Sequence, residues 1–365
     1  MIKSAWFSKS IKSDAAALRE SVDRCFRLTL ERREALDREG RADEPLTVFK
    51  GEEHEMPAHG LHHMMYLESL HNAGLHPFVG IEQPHDFLQA RLAPVFLERD
   101  LTAADKAKLR ALDKEGSLSI AMANWFGCGD ASRHSQQTLM HFLTQTGIPV
   151  QFTDADWVYN DHDVILNEKD DSTALSLRAC FNEASANIEA TGRKGVYARN
   201  HHMAHALQAW ASACDPRVIV QICGRGHITG MGRNPDQEMI VYPWIESLPA
   251  LFKARALPTL SITPILKNEK SIPLPDHTLE AHEILVEAEW PEVDAWYPLD
   301  PGKTQKPVLK TVRAEARYLN RLMTQLGMEK YALSPKMAEQ QKEACRNFVF
   351  TAFKNLNAAQ RNLQP

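Results

Sequence analysis

Two hydrophobic periods run along this chain, one near 3.6 residues and one made of short, almost wholly apolar runs. Residues 13–39 show the first among many charges. Ser13 and Asp14 open the stretch as caps and Gly40 closes it, which predicts a charged amphipathic helix. After Pro45, LTVFK is a short apolar run ending at Gly51, and a helix is expected from Pro57 through Asn72, stopping at Gly74. FVGIE (78–82) is a second β-rich run, and HFLTQTGIPVQFTDAD reads as a helix end, a turn at Gly147 and a third strand closing at Asp154. Residues 172–190 and 199–213 have helical spacing, the latter with Met203, Leu207, Trp210 and Ala211 on one face. RVIVQICG (217–224) is nearly all apolar, as befits a strand covered on both faces, and a further strand is expected around Leu257–Ile265. Helices alternating with such runs predict an α/β fold of three layers, α/β/α, around a mainly parallel central sheet.

Past Leu266 the pattern changes: 266–308 is rich in proline and acids, and 309–363 is helical in character. The expected organisation is a helical N-terminal extension (1–44), an α/β core (45–265) and a C-terminal extension (266–365) without evident chemistry.

Composition narrows the partners. The 365 residues carry 42 basic and 47 acidic side chains, formally −5, with no basic stripe, so nothing attracts nucleic acid or an anionic lipid surface. No apolar run reaches the length of a membrane span, and MIKSAWFSKSIKSD lacks the apolar centre of a secretory signal. The six cysteines are scattered without a C-x-x-C pair, which suits a reducing compartment. The expectation is a cytoplasmic protein acting on a small molecule or peptide, with signal-less export as an effector on a host macromolecule as an alternative. Nothing indicates the oligomeric state.

GEEHEMPAHGLHHMM (51–65) holds four histidines, and its first impression is a zinc motif of the H-E-x-x-H kind. The second histidine, His59, lies five positions after His54 rather than four, and Pro57 between them breaks the helical face that motif needs. The position of polar residues at strand ends is more informative. LTVFK runs into Gly51-Glu52-Glu53-His54, FVGI into Glu82, PVQFT into Asp154, and VIVQIC into Gly224-Arg225-Gly226-His227. In open parallel sheets ligands bind beyond those carboxyl ends. Glu52, His54, Glu82 and His227 are therefore the expected catalytic set, Asp154 and Arg199 the expected substrate contacts, and Gly51, Gly224 and Gly226 the expected sharp turns. Arg199 lies one helical turn before Met203 and should reach the crevice from the apolar face. His201 and His205 lie opposite that face and should see solvent, as should His62 and His63, with His59 peripheral. A rival nucleophile is Cys128 in NWFGCGDASRH, near Asp130 and His134.

The ordered set resembles the superfamily joining ChaN-like haem-uptake proteins, Tiki (TraB-type) metalloproteases and erythromycin-esterase-like hydrolases. The residues that carry the resemblance are the G-E-x-H turn (Gly51, Glu52, His54), the strand ending in Glu82, the R-x-x-x-M-A helix start (Arg199, Met203, Ala204) and G-x-G-H (Gly224, Gly226, His227). PAHGLHH after the first turn is most similar to the ChaN-like branch. The lipid-bearing cysteine of ChaN-like lipoproteins is missing, and His62 and His63 stand where esterase relatives use an arginine. The resemblance implies a hydrolase of esterase or peptidase type. Water would be activated by His54, or by a divalent metal between His54, Glu82 and His227, with Arg199 stabilising the developing charge. The ChaN-like branch implies the alternative, a binding protein for haem without turnover.

Overall fold

Leu46–Glu52 (β1) is buried along its whole length, and the reason is its place in the sheet. The computed structural model describes residues 2–52, 57–84, 134–155, 157–160, 163–166, 177–178, 180–181, 188–189, 192–214, 216–229, 231–233, 239–241, 247–266, 295–299, 312–332 and 334. Within them β1 pairs in parallel with Val218–Gly224 (β6) on one side and Thr259–Leu266 (β9) on the other. The other paired strands are Phe78–Pro84 (β2), Val150–Asp154 (β3) and Ala295–Leu299 (β10). The order is β10-β9-β1-β6-β2-β3, and every neighbouring pair is parallel. The α/β fold and its parallel sheet are as expected.

Helices cover both faces. Ile2–Arg38 (α1), Pro57–Asn72 (α2), His134–Thr146 (α3) and Val312–Leu326 (α7) share one apolar core with Val48, Val79, Val220 and Ile262 of the sheet. Arg193–Cys214 (α4) and Leu248–Lys253 (α6) pack on the other face against Phe49, Ile219 and Cys223, joined by the short helix Gly226–Thr229 (α5). The chain steps from β1 through β2 to β3 with α2 and α3 on one face. It returns to β6, and then moves to β9, with α4 and α6 on the other. Reversing direction and face together keeps each crossover right-handed and puts the point where the strand order reverses between β1 and β6.

Two helix ends are set by glycine. Gly40 (φ 74°) and Gly74 (φ 75°) take the left-handed conformation, and the following residues, Arg41 and Leu75, return their N–H groups to Leu36 and Leu70. Gly51 has a different role from the expected turn. A Cβ there would lie 2.4 Å from Thr263 Oγ1 on β9 and 3.2 Å from Ile228 Cδ1, so the position is kept bare by close packing.

Several features depart from the sequence reading, and one expected helix is only partly described. α1 begins earlier than residue 13, and the described C-terminal residues supply β10 to the sheet and α7 to the layer containing α1. The described residues of the terminal segments thus share the core of residues 45–265. Trp157–Asn160 (β4) with Asp163–Leu166 (β5), and Met231–Arg233 (β7) with Met239–Val241 (β8), form antiparallel hairpins that were not foreseen. Of the helix expected over 172–190, residues 177–178 and 180–181 are helical and most of the rest lies outside the described residues.

The largest departure is in α2. His59, His62 and His63 are fully buried, contrary to the solvent-facing position expected of His62 and His63 and the peripheral one expected of His59. A helical wheel presumes one wet face, but α2 packs against α1, α3 and α7 as well as the sheet. Its polar groups are met from neighbouring elements: His62 Nε2 lies 3.0 Å from Ser21 Oγ, and Tyr66 OH 2.6 Å from Thr29 Oγ1. No described helix is long and apolar enough to cross a membrane.

Candidate functional site

Parallel pairing puts the carboxyl ends of β1, β6, β2 and β3 side by side, and with them Glu52, Gly224, Glu82 and Asp154. The register sets Glu52 opposite Gly224, while β2 follows β6 up to Ile81 opposite Ile222. A bulge between Ile81 and Pro84 brings Pro84 level with Asp154. Glu82 and Asp154 thereby sit beneath the first half of α4, where Arg199 hangs from the same face as Met203.

The geometry centres on Glu82. Its Oε1 accepts from Arg199 Nη2 and faces His227 Nε2 at 3.0 Å, and its Oε2 accepts from the Gly224 amide. Arg199 grips Asp154 with two nitrogens, Nε at 3.0 and 3.1 Å from the two oxygens and Nη2 at 2.7 Å from Oδ2. Asp154 Oδ1 also accepts from the amide of Ala155 at 2.8 Å. The other ring nitrogen of His227, Nδ1, lies 2.6 Å from Asn200 Oδ1 on α4. All five side chains are buried. Burial alone would lower the pKa of Arg199, but Asp154 and Glu82 outweigh it and raise the value, so the guanidinium is a fixed positive charge. Burial pushes the Cys223 thiol well up, and Glu82, Glu52 and Asp154 push it further, which leaves that cysteine an inert packing residue.

Glu52 belongs to the other helical layer. Its Oε2 lies 2.9 Å from His63 Nε2 of α2. One step down the same face of β1 is Lys50, wholly buried, with its ammonium 5.5 Å from the centre of the Tyr66 ring. Burial lowers the Lys50 pKa from 10.5 to about 8 against the pull of Cys25 and Glu52. His59 and His62 are pushed well below 6.5, chiefly by burial. Neighbouring positive groups add to this, His63 first for His59 and Lys50 first for His62.

Of the expected catalytic set, Glu82 and His227 are in contact, together with Arg199 and Asp154. The described hydrogen bonds of Glu52 and of Glu82 run to opposite layers of the fold. His54 lies outside the described residues, as do Asp156 and, in the rival nucleophile segment, Cys128 and Asp130, whereas His134 opens α3. His205 is exposed and His201 half-buried, as expected for that side of α4. Arg199 was assigned to substrate, yet its Nε and Nη2 are committed to Asp154 and Glu82. Its geometry is that of a group holding two carboxylates in place.

The metal reading can be tested on the donors. Among the described residues no group of three His, Cys, Asp or Glu side chains is placed to hold a metal ion. Glu82, the expected carboxylate ligand, already receives a guanidinium and a backbone N–H. The guanidinium therefore already neutralises the carboxylate that would bind a metal, and His54, the third expected ligand, lies outside the described residues.

Two residues in these contacts escaped the sequence reading. Asn200 is adjacent to Arg199, and the signal for it was a poor helix former in the interior of a helix on its buried side. His63 was legible only once α2 was known to have no wet face. Compared with family models, with curated proteins and with solved structures, the chain gives no match.

Proposed function

We propose that the chain is a hydrolase of esterase or peptidase type, related to the ChaN-like, Tiki and erythromycin-esterase-like superfamily. The contact between Glu82 and His227 at the carboxyl edge of the sheet carries this reading, because it joins a proton acceptor and a proton relay on two separate strand ends. It is supported by the fact that Glu52, Glu82, Arg199 and Gly224–His227, the motifs of the resemblance, all fall at that edge. In the reaction, the oxygen of a water bonds to the acyl carbon while its proton goes to Glu82. Glu82 passes the proton across the 3.0 Å contact to His227. The C–O or C–N bond breaks, and the leaving alcohol or amine takes the proton from His227. Arg199 keeps Glu82 oriented throughout.

The test is a panel of aryl esters, alkyl esters and short peptides offered to wild type, Glu82→Gln, His227→Gln and His54→Ala. Turnover by wild type that falls by at least about a hundredfold in the first two variants supports the assignment. Turnover that survives both, or a haem titration giving a Soret band with no hydrolysis of any substrate, overturns it. His54→Ala reports whether the turn after β1 takes part.

A further inference from the structure

We infer that Asn200 is a positioning residue that fixes the tautomer of His227, with Nδ1 carrying the ring proton and Nε2 left to exchange a proton with Glu82. The chemical meaning of this rests on the hydrolase reading, but the geometry does not. A neutral imidazole offers one donor and one acceptor, and the partner of one nitrogen decides the role of the other. Asn200 presents its carbonyl oxygen to Nδ1 at 2.6 Å, so that nitrogen donates. Nε2 then faces Glu82 Oε1 at 3.0 Å, placed to take a proton that the carboxylate has received.

Helix propensity points the same way. Asn in a helix interior is unfavourable against Ala, because its side chain competes for the backbone. In α4 that side chain is fully buried and turned onto the ring of His227. An apolar residue would be the ordinary occupant of such a position.

The experiment reads the ring directly on the full chain labelled with 15N-histidine. The His227 signals are identified by their loss in His227→Gln. Wild type is expected to show a protonated Nδ1, a signal that Asn200→Asp retains and Asn200→Leu loses, with the helical circular dichroism of each variant compared as a folding control. A wild-type ring protonated only at Nε2 overturns the inference without any Asn200 variant, as does an Asn200→Leu protein that keeps the Nδ1 proton. Where the substrate panel has supplied an activity, Asn200→Leu is expected to lower kcat on the order of tenfold or more with little change in KM, and Asn200→Asp to restore it. No turnover by wild type sinks the hydrolase reading and leaves the ring measurement standing. Turnover with the wrong tautomer sinks this inference and leaves the hydrolase.

Discussion

Replacing Lys50 with methionine should make the protein more stable at neutral pH, although it removes a charged residue from the centre of the sheet. Lys50 is fully buried on β1, facing Tyr66 of α2 and coupled to Cys25 of α1. Its pKa falls from 10.5 to about 8, mainly through burial. At 1.36 kcal/mol per pH unit, that fall means the folded state carries about 3 kcal/mol of cost for the ammonium whenever the group is charged in both states. The sign follows from the direction. Above 10.5 the lysine is neutral folded and unfolded and the cost is absent. As pH falls through 10.5 the unfolded chain takes up the proton first, and below about 8 the full cost is present. Methionine fills a similar volume without the charge, at a packing penalty below about 1.5 kcal/mol. The net expectation is a gain of about 1–3 kcal/mol at pH 7, read as a higher urea midpoint with an unchanged slope. The gap between the two proteins should narrow as pH rises from 8 to 10.5, because only wild type gains there; titrations common to both cancel in the difference. A Lys50→Met protein that is less stable than wild type at pH 7, or a gap that does not change with pH, would refute the argument. The ammonium would then be earning more from Tyr66 and Glu52 than burial takes away.

Arg199→Met leaves Glu82 and Asp154 as neighbouring buried carboxylates without their shared cation, so urea unfolding at pH 7 should show a loss of about 3–5 kcal/mol. Gly51→Ala drives a methyl group into Thr263 and should cost about 1–3 kcal/mol, and removing the hydroxyl with Thr263→Ala in the same chain should recover part of it. His59 and His62 have folded-state values held below 6.5, so their contribution is present above that pH and lost as pH falls below it. Each should add a slope of up to about 1.4 kcal/mol per pH unit, absent from the matching His→Phe variants in acid denaturation. Because Glu82 already holds a guanidinium, any hydrolysis found in the substrate panel should survive dialysis against a chelator. Loss on dialysis with recovery on adding a divalent ion would reverse that assignment.

The sequence by itself determined five strands of the sheet, β1, β2, β3, β6 and β9, and the edge where their polar ends gather. Runs such as VIVQICG and LTVFK carry apolar residues on both faces, which only a strand covered by two layers tolerates, and each ends in an ionisable residue at the same end of a parallel sheet. The spacing of Arg199 from Met203 likewise fixed which side of α4 the guanidinium would take. What the tertiary structure alone decided was the partnering. Pairing order places β6 between β1 and β2, and the alternation along each strand sends Glu52 to α2 and Glu82 to α4. One polar edge therefore carries contacts to two layers. His59, His62 and His63 are buried because four elements surround α2, and no wheel drawn from a single segment contains its neighbours. Asn200 meets His227 because a helix and a strand end, distant along the chain, cross at that point. Local periodicity reports the environment of a segment, whereas hydrogen-bond partners depend on which segments the core brings together.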